Sequence, residues 1–151
     1  MARSLTLWPR TLFGIIEPGL LCWAYYTLLL DPKKFYLDHY PVAGPLSITQ
    51  APTFAPQSEI LVLLLGNVYL LLALLALVCV WTPCRPVAIR YLLVVALADL
   101  GHIYAFYRVW GGTFWDFGQW NDLMWGNVGV SVFLHVNRLA TVMGVFGSER
   151  G

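Results

Sequence analysis

The chain has 151 residues, 59% of them hydrophobic and 11% charged, with a formal net charge of +1 and a mean hydropathy of +0.68. So little charge excludes a soluble domain with a conventional polar surface. With no basic stripe, acidic tail or phosphate loop it also excludes a nucleic-acid partner, and the lipid bilayer is the bulk partner that composition implies.

Taken in chain order, four stretches approach the roughly 20 apolar residues that a spanning helix requires. The first covers about residues 12–30, after Arg3 and Arg10. It is longer than the apolar region of a signal peptide, carries Glu17-Pro18 and ends at Asp31-Pro32 without a small-residue cleavage pattern, so it reads as retained. The segment 31–58 follows, with prolines at 32, 41, 45, 52 and 56 and the aromatic residues Phe35, Tyr36 and Tyr40. That proline density argues against any helix and for a folded cap. Spans two and three, about 60–81 and 87–110, are joined by the short turn Thr82 to Pro86, which makes them antiparallel neighbours. A second capping loop, 111–122, precedes the last span at about 123–146, and Trp110, Trp115, Trp120 and Trp125 there suit a membrane interface.

The expected fold is therefore all-α: a single transmembrane domain over 1–151, built as a four-helix antiparallel bundle. The face holding the termini carries Arg3, Arg10, Arg85, Arg90 and Arg150, against Lys33, Lys34 and Arg108 opposite, so the positive-inside rule places the termini in the cytosol, with the endoplasmic reticulum as the default membrane. Cys22, Cys79 and Cys84 show no metal spacing; Cys22 and Cys79, within spans, read as small hydrophobes.

An ionisable residue at the bilayer centre costs about 2.5–3.5 kcal/mol on insertion scales, so each one needs a partner, a cavity or a task. Glu17, Asn67, Asp99, His102, Asn127, His135, Asn137 and Arg138 all fall in spans. Asp99, His102 and Phe106 share one stripe of their helix, as do Asn127, Ser131 and Arg138, with His135 at the margin. Counting from the helix ends puts Glu17 and Arg138 at one depth, where they would neutralise each other, either as an interhelical clamp or as the floor of a site. Asn67 and Asn127 read as interhelical hydrogen-bond glue or as ligands toward a mouth. His135 reads as a satisfied core histidine. Asp99 and His102, one turn apart in low dielectric, read as an acid–base pair that moves protons. No spacing of His, Cys or acids supports a metal, and no cofactor fingerprint is present.

The motifs "IIEPG", "LLGNVYLLLALL", "ADLGHIYAFY", "FWDFGQWNDLMWGNVGV" and "NRLA" resemble the pattern of a family of small four-helix fungal integral membrane proteins of mostly unassigned function. That family is in turn similar to the small membrane enzymes of fungal polyketide and meroterpenoid pathways that open epoxides on polyene-pyrone products of the aurovertin and asteltoxin type. The resemblance implies a site with Asp99, His102 and Glu17 as catalytic groups and with Asn67, Asp116, Trp120, Asn121 and Asn127 around the substrate. It implies hydrolysis or cyclisation of an epoxide on a lipophilic secondary metabolite: Asp99 protonates the leaving oxygen, and His102 orients it or takes the proton from the nucleophile. The rival expectation is a non-catalytic lipid- or sterol-binding module, or a subunit of a membrane assembly.

Overall fold

A computed structural model of the chain describes residues 5–39 and 53–147. Arg3, Tyr40, Pro41, Pro45, Pro52 and Arg150, all used above, lie outside them. Regular structure among the described residues is entirely helical. Helix α1 runs Leu7–Leu30, α2 Pro32–Asp38, α3 Pro56–Trp81 and α4 Arg85–Trp110. Two short 3-10 turns, Gly111–Trp115 and Phe117–Gln119, lead into α5 (residues 122–142), which is made of Asp122–Met124, a π turn at Trp125–Gly129, and Val130–Val142. Three helices, Leu7–Leu30, Pro56–Trp81 and the continuous stretch Arg85–Trp115, are long and apolar enough to cross a membrane.

Helix α2 corrects the expectation that 31–58 holds no helix. Asp31 caps it by accepting a hydrogen bond from the Lys34 amide at 2.8 Å, and Pro32 occupies the first helical position, where its missing N–H costs nothing. Pro56 opens α3 in the same way. The last helix ends at Val142 rather than near 146, and the chain then reaches Gly144 with φ +79°.

Inside lipid, helices associate by packing rather than by hydrophobic expulsion, so small residues that allow close approach matter most. The buried positions of α3 are Val62, Gly66, Tyr69, Ala73, Ala76 and Val80, spaced alternately four and three apart along one face. A Cβ on Gly66 would sit 3.1 Å from Leu28 and 3.2 Å from Tyr25 of α1, so this stripe sets the α1–α3 distance. Leu61, Leu64, Leu71, Leu74 and Val78 point the other way and are exposed, as lipid contact requires. Helix α4 buries Ala88, Tyr91, Leu92, Val95, Ala96 and Asp99 by the same spacing.

Two intimate pairs result, α1 along α3 and α4 along α5, joined by the packing of α3 on α4. At the end nearer the termini, Leu12, Phe13, Ala76, Val80, Ala88, Leu92 and Leu134 close into one core. Toward the other end there are two cores, Leu28, Phe35, Val62 and Tyr69 on one side, with Leu123 of α5 packed against them, and Trp110, Phe114, Met124 and Val128 on the other. The space between these two upper cores is the cavity described below.

Helix α1 contains a π turn at Leu12–Ile16, where the Glu17 amide reaches back five residues to the Leu12 carbonyl. Its cause lies one residue on: Pro18 has no N–H for the Gly14 carbonyl four residues earlier. That carbonyl instead accepts a hydrogen bond from Trp81 Nε1 at 3.0 Å. Only glycine leaves room, since a Cβ at position 14 would lie 2.8 Å from Trp81 Nε1. Cys22, Cys79 and Cys84 are all free thiols.

Candidate functional site

The cavity between the helix pairs has a volume of about 970 Å³, at the upper end of the range typical of small-molecule sites. Its wall is mainly apolar, with polar groups gathered at its two ends. Glu17, Asp99 and Arg138 form the floor; Asp31, Lys34, Asp38 and Asp122 ring the far end. The 14 residues of α1 from Glu17 to Leu30, at 1.5 Å each, set these ends roughly 20 Å apart.

Arg138 is 1% exposed, and its guanidinium forks between two carboxylates: Nη1 donates to Asp99 Oδ2 and Nη2 to Glu17 Oε1. The Phe13 ring lies 5.3 Å beneath the guanidinium carbon, adding a cation–π contact. One side chain thereby ties α1, α4 and α5 together at a single level. The Glu17–Arg138 pair matches the depth count from sequence. His135 stands beside it, its Nδ1 3.8 Å from Asp99 Oδ2 and 3.1 Å from the Ala96 carbonyl. Because a carbonyl only accepts, the Nδ1 in that bond carries the proton.

Asp99 and His102 both line the cavity, but they do not form the acid–base pair that their spacing suggests. Asp99 is turned toward Arg138 and His135, whereas His102 meets the Asn127 side chain and sets its ring edge against Phe106 with centroids 5.3 Å apart. A spacing of three on one helix places two groups on one face without making them partners. Asn127 also lines the cavity, held by its own Nδ2 donating to the Leu123 carbonyl at 2.9 Å.

The other four expected site residues lie elsewhere. Asn67 is exposed on the outer face of α3, one residue past the Gly66 packing stripe. Asp116 is exposed and accepts a hydrogen bond from Gln119. Trp120 donates to the Phe114 carbonyl at 3.0 Å and packs against Phe114 and Trp125. Asn121 caps α5, accepting from the Met124 amide at 2.8 Å, and its Nδ2 donates to the Asp38 carbonyl at 3.0 Å. These last three shape the 111–122 segment and its junction with α2; none lines the cavity.

What the sequence reading missed is α2, whose Lys34, Phe35 and Asp38 form part of the wall. Lys34 Nζ pairs with Asp38, which lifts the lysine above its ordinary range. His39, at the end of α2, stacks over Phe106 of α4 with centroids 5.7 Å apart, and its Nδ1 lies 2.7 Å from the Phe35 carbonyl. Burial pushes this histidine below its ordinary value of 6.5, against the raising effects of the Phe35 hydrogen bond and of Asp38. The Asp31-Pro32 dipeptide was the signal for this helix.

The fold and site define a class: an all-helical chain with three helices fit to cross a membrane and an apolar cavity floored by a buried ion cluster. The chain belongs to the family described as a domain of unknown function, DUF7704, whose pattern matches residues 2–148. No curated protein and no solved structure matches it.

Proposed function

We propose that this chain is a membrane-embedded enzyme that opens an epoxide, by hydrolysis or cyclisation, on a lipophilic molecule of the fungal polyketide type. The observation that carries the reading is a large apolar cavity with Asp99 and His102 both in its wall, one turn apart. Two carboxylates and one guanidinium leave one negative charge over, and a proton on Asp99 makes the cluster neutral. Asp99, at the cavity surface, delivers that proton to the epoxide oxygen as the C–O bond breaks. His102 takes the proton of the attacking water or internal hydroxyl, while Asn127 holds the ring in place. The proton then returns from His102 to Asp99 through the new hydroxyl or a water. Apolar walls exclude bulk water and so favour whichever nucleophile the substrate brings.

In this reading α5, 21 residues from 122 to 142 and so about 31 Å long, is a fourth span, and the bundle is antiparallel with four membrane helices. The bilayer is the endoplasmic reticulum's, with the termini cytosolic. The resemblance to fungal epoxide-opening membrane enzymes supports the substrate class.

The test is turnover of a polyene epoxide by detergent-solubilised protein, with thermal melts in parallel. Asp99→Asn is expected to abolish turnover, and His102→Gln, which touches no member of the ion cluster, to lower it by about 10²-fold or more with the melt unchanged. If the wild type turns nothing over and His102→Gln retains ligand binding, the cavity is a lipid- or sterol-binding site and the enzyme reading falls.

A further inference from the structure

Three observations bear on how a ligand reaches the cavity. The floor is closed by the Glu17–Arg138–Asp99 cluster over a packed core. The far end is crossed by α2, which is held on three sides: it packs on α3, it accepts the Asn121 hydrogen bond at the Asp38 carbonyl, and its His39 ring stacks on Phe106 of α4. That end is also charged, with Asp31, Lys34, Asp38 and Asp122 around it. An apolar molecule arriving from water would have to pass all four.

The side is different. Helix α1 packs along α3 and α5 along α4, whereas α1 and α5 are tied at the floor, through Arg138 with Glu17 and Trp8 Nε1 with Asn137 Oδ1 at 3.0 Å, and at the far end Leu123 of α5 packs on the Leu28, Phe35, Val62 and Tyr69 core. Between those two levels the cavity wall runs out onto the lipid-facing surface. Leu20, Trp23 and Leu30 of α1 line the cavity and are yet 46%, 65% and 66% exposed. Across from them Gly126, in the π turn of α5, also lines the cavity, and a Cβ there would meet nothing within 4 Å.

We propose that the cavity loads sideways from the bilayer, through an apolar cleft between α1 and α5 rimmed by Trp23 and Gly126, and that its ligand is a single-chain amphiphile already dissolved in the membrane. The ligand's oxygen-bearing end goes to the floor, where Arg138 and Asp99 supply the hydrogen-bonding groups. Its apolar chain lies along the wall toward the cleft. The ligand class rests on the proposed function; the route does not, because it rests on the closed floor, the far end crossed by α2 and the exposed rim between α1 and α5.

The test reads loading rather than turnover. Protein is reconstituted in phosphatidylcholine vesicles, parinaric acid is added as a fluorescent polyene amphiphile, and energy transfer from the protein tryptophans is followed by stopped flow. Gly126→Phe is expected to slow loading by about tenfold or more without changing the melt. Trp23→Ala, which removes an exposed side chain from the rim, is expected to keep or raise the rate, scored against the acceptor signal because one donor is lost. Asn121→Ala, which unties α2 from the 111–122 segment, is expected to leave it within about twofold. Faster loading in Asn121→Ala with no effect of Gly126→Phe would mean that ligand passes beneath α2 and would overturn the proposal. No energy transfer in the wild type would overturn it as well. Loading that follows the expected pattern in a protein without turnover would refute the enzyme reading alone.

Discussion

Replacing Arg138 by methionine tests the ion cluster directly. The side chain is 1% exposed and, among the described residues, bonds both Glu17 and Asp99, so its loss leaves two largely buried acids without their cation. Breaking a buried pair by removing one partner costs about 3–5 kcal/mol, because the remaining charge is uncompensated. The lost contact over Phe13 adds roughly 0.5–2 kcal/mol. A total of about 3.5–7 kcal/mol would lower the melting temperature by on the order of 10–20 °C in a chain of this size. The informative comparison is the triple variant Glu17→Gln, Asp99→Asn, Arg138→Met, which removes every charge together and should recover to within about 2 kcal/mol of the wild type, since uncharged replacements of a buried network are often neutral. Melts in lipid nanodiscs, monitored by tryptophan fluorescence and circular dichroism, supply the readout. A single variant within about 1 kcal/mol of wild type, or a triple variant no better than the single one, would refute the claim that Arg138 is there to compensate the two acids.

Other outcomes follow from the same geometry. Gly14→Ala should destabilise by about 1–3 kcal/mol because its Cβ displaces Trp81 from the Gly14 carbonyl; adding Trp81→Phe should make the two effects non-additive in a double-mutant cycle. The fold holds His39 below its ordinary value, so the neutral ring is favoured, and its contribution is complete above about pH 6.5 and lost as the pH falls through the lower folded value. Melts at pH 7.5 and pH 5 should therefore differ, and His39→Phe, which keeps the stacking on Phe106, should remove that part of the difference. Asn67→Leu should leave the melt within about 0.5 kcal/mol and turnover intact; a loss of turnover would mean that α3 presents its other face to the cavity.

Spans legible in sequence were those that rest on long apolar runs, and the clamp between Glu17 and Arg138 was legible because depth can be counted from helix ends. Rotation about the helix axis was harder. Helix α3 is apolar on every side, so hydropathy says nothing about which way Asn67 points. The stripe Gly66, Ala73, Ala76, Val80 does say it, through packing size rather than polarity. Asp99 and His102 share a stripe, but their true partners, Arg138 and Asn127, come from α5, and no spacing within one helix reports on its neighbour. Asn121 and Asp116 were drawn into the site by the resemblance of their motif, whereas a cap and a turn account for them. In the proline-rich segment the number of prolines outweighed the position of one, Pro32, which starts a helix rather than breaking it.

The two π turns have a consequence for how such a chain tolerates length changes. Each holds one residue more than a regular helical turn would, and a residue advances an α-helix by about 100°. Deleting one residue from Leu12–Ile16 or from Trp125–Gly129 would leave an apolar stretch that still looks correct on any hydropathy plot. It would also swing one end of the helix by nearly a third of a revolution against the other, putting either Glu17 or the packing residues before it out of phase in α1, and either Asn127 or Arg138 in α5. In this architecture the ion cluster is kept in phase by a count of residues as much as by their identity.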